Sequence, residues 1–267
     1  MATQAPGEAL IQVRGLVNQF GSQVVHDTVD LAIHQGEILG LIGGSGSGKT
    51  VLVRSILGLH RPKEGQILYE GQDLLTLTHR ERMRRQRHWG VLFQHGALFS
   101  GLTLRENVAL PLRESLGLPR HLRNELAGFK IRLAGLPLEA AEQFPAELSG
   151  GMVKRAALAR ALALDPEVVF LDEPTAGLDP IAAAGFDRLI RYLQQALNLT
   201  VVIVTHDLYT LTHICQRLAV LVDRQVHTGT LAEVMAHEHA WSRAYFHGPR
   251  MQAMLGEGEP WNGMSAT

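Results

Sequence analysis

The chain has 267 residues, of which 46% are hydrophobic, 19% charged and 6% aromatic, enough to bury a sizeable core, which excludes a disordered chain. Lys plus Arg number 25 and Asp plus Glu 26, so the formal charge of -1 argues against a generally basic nucleic-acid binder and names no partner. A single cysteine, Cys215, excludes an internal disulfide framework and a Cys-rich zinc site, and fits a small buried apolar residue in a reducing compartment.

Residues Met1 to Arg14 show no basic segment followed by an apolar one, so no secretory signal is expected and the chain should stay in the cytoplasm. The longest stretch without Asp, Glu, Lys or Arg, His88 to Leu104, is too short and too polar to span a bilayer.

In chain order, the runs Ile11-Val13-Leu16, Val24-Val25 and Val29-Leu31-Ile33 predict short, half-buried strands of an antiparallel β-layer. Glu37 to Ile42 is a nearly unbroken apolar run, as in a strand buried on both faces of a parallel sheet. A helix follows over Thr50 to Leu59, then a hairpin at Gly65 to Gly71. The segment His79 to His88 carries five arginines, and Thr78 with Glu81 reads as a capping box opening a solvated helix. Leu102 to Glu147 reads as a helical insert broken at Pro111, Pro119, Pro137 and Pro145. Helices at Met152–Leu164 and Pro180–Leu197 alternate with strands at Val168–Leu171 and Thr200–Val204, which means a parallel α/β sheet. A strand at Leu218–Val222, a turn at Val226 to Thr230 and a helix near Leu231 complete the pattern.

Gly43, Gly44, Ser45, Gly46, Ser47, Gly48, Lys49 and Thr50 match G-x-x-x-x-G-K-[ST] between a buried strand and a helix. Glycines let N–H groups turn inward around phosphate oxygens, Lys49 brings a point charge to the terminal phosphates, and the Thr50 hydroxyl can ligate Mg²⁺. Asp172 and Glu173 end an apolar strand where a phosphate-bound Mg²⁺ would sit, so Asp172 can hold the metal while Glu173 polarises an attacking water. Ser149, Gly150 and Gly151 open a second helix whose first turn carries Lys154 and Arg155, charges that the helix dipole disfavours there, and this reads as a further anion site.

The phosphate loop, Gln94 after a strand, Leu148-Ser-Gly-Gly151, Asp172-Glu173, Gly177-Leu-Asp179 and His206 after a strand resemble, in order and spacing, the nucleotide-binding subunit of ABC transporters over residues 8 to 235. The resemblance implies an ABC-type phosphate-loop ATPase fold with a parallel core sheet, an N-terminal antiparallel β-layer and a helical subdomain at about 97–165. The nucleotide-binding domain would cover 1–240 and a C-terminal extension 241–267. It also implies ATP and Mg²⁺ as ligands, Phe20 stacking on adenine, Gln94 joining Mg²⁺ and sensing a membrane subunit, and His206 contacting the γ-phosphate. Phe20 as core, Gln94 as a loop amide and His206 as a capped strand end are the plain alternatives.

With one phosphate loop and one signature per chain, such a site uses the opposite chain's Ser149-Gly150-Gly151, so two ATPs would be clamped in a two-fold homodimer with Asp179 communicating across it. Met152 in the signature, Phe93 to Phe99 around Gln94, and Asn107 to Arg113 after it resemble the ATPases of bacterial phospholipid transport between inner and outer membranes. That likeness implies a peripheral place on the cytoplasmic face of the inner membrane, with a transmembrane permease, a lipid-binding MCE-domain protein and a STAS-domain protein as partners and no nucleic acid. An importer of small solutes shares every catalytic residue, and a soluble ABC-type ATPase acting on nucleic acid or ribosomes is a third reading. Trp241, Tyr245 and Phe246 fall on one helical face and are expected to dock on this chain or a partner and to steady a dimer. His237, His239 and His247 offer no compact metal-ligand set.

Overall fold

The computed structural model describes residues 9–237, 239–248 and 251–252. Its first layer is a four-stranded antiparallel sheet in the order β2-β1-β4-β5, made of β1 (Ala9–Phe20), β2 (Gln23–His34), β4 (Glu64–Tyr69) and β5 (Gln72–Asp73). The three short strands expected before residue 34 are two long ones. Register shifts beside Gly15 (φ 55°) and Thr28 (φ 56°) bulge the ladder, interrupting the alternation without ending the strand. Buried pairs Ile11–Ile33, Val13–Leu31 and Leu16–Val29 keep one face toward the interior.

The second sheet has six strands in the order β10-β9-β3-β8-β7-β6. It comprises β3 (Ile38–Gly43), β6 (Trp89–Leu92), β7 (Val168–Asp172), β8 (Thr200–Val204), β9 (Arg217–Val222) and β10 (Gln225–Gly229). All neighbours are parallel except β10, which returns antiparallel on β9. Val226 to Thr230, expected as a turn, is therefore mostly strand. The turn lies one step earlier, at Asp223 (φ 46°) and Arg224 (φ 67°), where neither residue is glycine.

Helix α1 (Lys49–Ile56) lies between the sheets, its Leu52, Val53 and Ile56 sharing one core with Ile11, Leu39 and Phe170. Helices α5 (Gly150–Ala161) and α6 (Pro180–Leu197) cover the opposite face, where Leu158, Phe186 and Ile190 pack on Val169 and Ile203. The insert, α3 (Leu104–Leu116) and α4 (Arg120–Leu133), has its own core of Val108, Leu112 and Ile131, closed by Ala156 and Ala159 of α5 and by Ala163 just after it. Pro111, expected as a break, sits inside a continuous α3. Helix α2 (His79–Gln86) begins with the Thr78–Glu81 capping box and buries none of its residues. Helices α7 (Leu208–His213), α8 (Leu231–Met235) and α9 (Ala240–Phe246) follow. Cys215 packs partly buried against this end of the sheet, and burial pushes its thiol well above the usual range. Among the described residues no helix is long and apolar enough to cross a membrane.

Candidate functional site

Because β3, β8, β7 and β6 run parallel, their carboxyl ends meet along one edge: Leu41 pairs with Val204, Val204 with Asp172, and Leu92 with Leu171. The glycine loop, Glu173, His206 and Gln94 thus leave the sheet side by side, at the edge where open α/β sheets bind ligands.

The loop from Gly43 to Gly48 wraps the start of α1. Gly48 has φ 105°, and a Cβ built there would lie 2.6 Å from Val25 Cγ1 and 2.7 Å from His26 Nε2, so the backbone must be bare at that point. Ser45 and Gly46 are exposed. Lys49 donates from Nζ to the main-chain oxygens of Gly43 (2.8 Å) and Gly44 (2.9 Å). Burial lowers its pKa, against the raising effect of Glu173 and Asp172.

Asp172 and Thr50 line one small cavity of about 30 Å³ between α1 and β7, whose wall includes Arg54 and Phe93 but not Gln94. Burial, then the neighbouring Glu173 charge, holds the Asp172 carboxyl above its ordinary range, offset by Arg54, Lys154 and Lys49. A hydroxyl and an underneutralised carboxylate are the hard oxygen donors a divalent cation prefers, so the residues present fit Mg²⁺. Among the described residues no three His, Cys, Asp or Glu cluster to hold a metal by themselves. His239 Nε2 instead meets Asp223 at 2.9 Å, the His227 and His237 rings lie 4.5 Å apart, and His247 Nε2 reaches Met235 O at 3.2 Å.

Glu173 sits at φ 48°, a left-handed conformation uncommon for a non-glycine residue, and it is over-determined by its neighbours. Its N–H donates to Val204 O (2.8 Å), and its own oxygen accepts from Lys154 Nζ (2.8 Å). The His206 Nδ1–H donates to the Glu173 carboxylate at 2.8 Å, while the His206 side chain is 77% exposed. His206 is thus more than a capped strand end.

Lys154 and Arg155, the two cations near the start of the signature helix, both turn to main-chain carbonyls. The Lys154 ammonium is buried and donates to Gln94 O (2.5 Å) and Glu173 O, and Arg155 donates to Ala134 O (3.2 Å); tertiary carbonyls outweigh the local helix dipole. Ser149 caps α5 by accepting from Met152 N (3.4 Å), and a Cβ on Gly150 would meet nothing within 4 Å, so this end of the helix faces open space. Asp179 caps α6, accepting from the N–H groups of Ile181 (3.0 Å) and Ala182 (2.9 Å). Phe20 is 47% exposed, not core, and stacks on His60 with ring centroids 4.7 Å apart. The Gln94 side chain is exposed beside Phe93 and Phe99, themselves exposed. Ser149, Gly150, Gly151, Asp179 and Phe20 make no hydrogen bond to the glycine loop among the described residues.

Four further residues, His60, Lys154, Trp241 and Tyr245, gather at this edge. His60 carries no signal beyond its type, the Lys154 brace was visible only as a cation in a first turn, and Tyr245 and Trp241 reach the edge from the far end of the chain.

Residues 26–176 match the ABC transporter family. The chain is 42% identical over 217 residues to the intermembrane phospholipid transport system ATP-binding protein MlaF of Haemophilus influenzae, covering 81% of this chain and 82% of that one. It is 37% identical over 233 residues to the methionine import ATP-binding protein MetN of Haemophilus ducreyi, covering 85% and 67%. Among solved structures, a dimeric ATP-binding cassette in a post-hydrolysis state bound to ADP and Pi aligns with a TM-score of 0.75 at 30% identity, over 83% of this chain and 98% of that one. With a phosphate loop, a carboxylate pair and a histidine meeting at one sheet edge, and with relatives matching along most of its length, the chain belongs to the ABC transporter ATP-binding family and is an ATPase.

Proposed function

We propose that this ATPase powers a bacterial transporter that moves phospholipids between the inner and outer membranes, working on the cytoplasmic face of the inner membrane. The observation that carries the chemical part is the 2.8 Å contact between His206 Nδ1 and the Glu173 carboxylate, beside Lys49 and Thr50. The cargo rests on 42% identity to a phospholipid-system ATPase over four-fifths of both chains.

Glu173 takes the proton of the attacking water as general base, and His206 orients that carboxylate and meets the γ-phosphate. Lys49 exchanges the carbonyls of Gly43 and Gly44 for phosphate oxygens. Phe20 stacks on adenine. Thr50, Asp172 and Gln94 would hold Mg²⁺, which when bound neutralises phosphate charge. Ser149, Gly150 and Gly151 serve the nucleotide of a second copy, with Asp179 at the same interface. Open space at Gly150, the 83% exposure of Ile181 beside Asp179, and the dimeric state of the similar cassette support a homodimer. Exposed Phe93 and Phe99 flanking Gln94 support a permease contact there, transmitted through the helical insert at about 97–165, with an MCE-domain and a STAS-domain protein completing the assembly. Residues 1–240 form the nucleotide-binding domain in this reading. The 241–267 extension lies mostly outside the described residues.

A second reading, an importer of small solutes, is favoured by 37% identity to a methionine import ATPase. Purifying the tagged chain from solubilised membranes and identifying proteins and lipids by mass spectrometry separates the two. A permease, an MCE-domain protein and phospholipid support the first; a periplasmic solute receptor overturns its cargo and leaves the chemistry intact. Glu173→Gln is expected to retain bound ATP and Lys49→Ala to abolish turnover; normal turnover in either removes that assignment.

A further inference from the structure

We infer that Tyr245, on the C-terminal helix α9, is a positioning residue for ATP hydrolysis, holding the main chain of His206 so that its imidazole stays on Glu173. The inference rests on reading Glu173 and His206 as the hydrolysing pair. Three independent contacts carry it. First, α9 is fixed: Phe246 (1% exposed) and Met251 are buried with Ile42, Leu211, Val220 and Val222, and Ile42 directly precedes the glycine loop. Second, the Tyr245 hydroxyl donates to His206 O at 3.0 Å. Third, the Tyr245 ring stacks on Trp241 (centroids 4.8 Å, 15° between planes), and Trp241 lies against the loop, its Nε1 3.3 Å from a Cβ built on Gly44. The aromatic pair therefore bridges the phosphate loop and the loop after β8, the two segments that must hold their spacing as phosphate leaves.

The Thr205 hydroxyl also accepts from the Asp207 N–H of the same peptide at 3.1 Å, and Tyr245 adds the bond to the carbonyl of His206. Among the described residues its hydrogen bonds are those to Glu173 and from Tyr245, and its own side chain is largely in solvent. A carbonyl can only accept, so the contact needs a protonated phenol. Burial, then the charges of Asp207 and Glu173, push the Tyr245 hydroxyl up to about 12, and it remains a donor throughout the neutral range.

The test uses the full chain with Tyr245→Phe, which keeps the ring on Trp241 and deletes only the hydroxyl, beside His206→Ala and the double variant. Tyr245→Phe is expected to lower kcat about five- to tenfold, the worth of one well-placed hydrogen bond, with KM for ATP within about twofold and a melting temperature lowered by no more than about 4 °C. In the His206→Ala background the same change is expected to cost nothing further, because Tyr245 acts through His206. Wild-type kcat in Tyr245→Phe, an equal rise in KM, or additive losses in the double variant would overturn the inference while leaving the Glu173–His206 pair standing. Normal turnover in His206→Ala would instead remove the pair, and this inference with it.

Discussion

The Lys154 ammonium donates at 2.8 Å to the main-chain oxygen of Glu173, and with its second bond, to Gln94 O, it ties the loops after β7 and β6 to the N-terminal half of α5. Glu173 is in a left-handed conformation, so the lysine pins a strained peptide next to the reacting carboxylate. Lys154→Met keeps the apolar stem and strips the charge, leaving two inward carbonyls without their donor. The variant is expected to lose about 1–3 kcal/mol in urea unfolding and to fall in ATP turnover with the helical content unchanged. Retained turnover at reduced stability would make the brace structural only.

The phosphate loop offers a sharper steric test. At Gly48 both φ and space exclude a side chain: a methyl group would strike Val25 and His26. Gly48→Ala is therefore expected to cost at least about 2 kcal/mol and to weaken ATP binding, whereas Gly46→Ala, with nothing within 4 Å, pays for its positive φ alone, about 1 kcal/mol. Equal losses in the two variants by thermal melting would contradict this.

What could be read in advance follows from how local each determinant is. The Glu70-Gly71 turn announces its hairpin because glycine takes a positive φ freely, while Asp223-Arg224 makes the equivalent turn without one, and β10 went unseen. Gly15 and Thr28 break the alternation of strands that the ladder nonetheless continues through. Pro111 sits inside a helix that Val108, Leu112 and the buried Asn107, bonded to the carbonyls of Phe99, Leu102 and Thr103, hold in place. Contiguous motifs exposed the phosphate loop and the Asp172-Glu173 pair. Contacts such as Tyr245 to His206, 39 residues apart, depend on how β8 and α9 meet, and no spacing rule encodes that.

Asp187 predicts a stabilising change. It is 2% exposed, its Oδ2 accepts from Thr210 Oγ1 at 2.9 Å, and its Oδ1 is buried with no partner among the described residues. Burial pushes its carboxyl up to about 6, helped by Asp207 and opposed by the Thr210 hydroxyl and His213. A folded-state value above the unfolded one means that the acid is neutral in the native state at low pH, and that stability is lost as pH rises through about 6. Asp187→Asn should therefore gain about 1–3 kcal/mol at pH 7 and almost nothing at pH 4. A gain independent of pH would show that the charge is not the cause.

His26 gives the opposite slope. It is fully buried on β2 behind the phosphate loop, in a network with Asn18 and Ser55, and because the Asn18 amide nitrogen only donates, His26 Nδ1 accepts at 2.8 Å and the ring proton sits on Nε2, facing Gly48. Burial pushes its pKa down to about 4, with Gly48 opposing and His60 assisting. The unfolded chain takes up a proton near pH 6.5 that the native imidazole refuses until about pH 4, so stability is lost as pH falls across that window. The loss attributable to this group is about 2 kcal/mol between pH 7 and pH 5. His26→Gln should unfold in urea with a correspondingly flatter dependence over the same interval. Because the ring backs Gly48, ATP affinity of the wild-type chain should fall with stability below pH 6, and a parallel fall in the variant would exclude His26 as its origin.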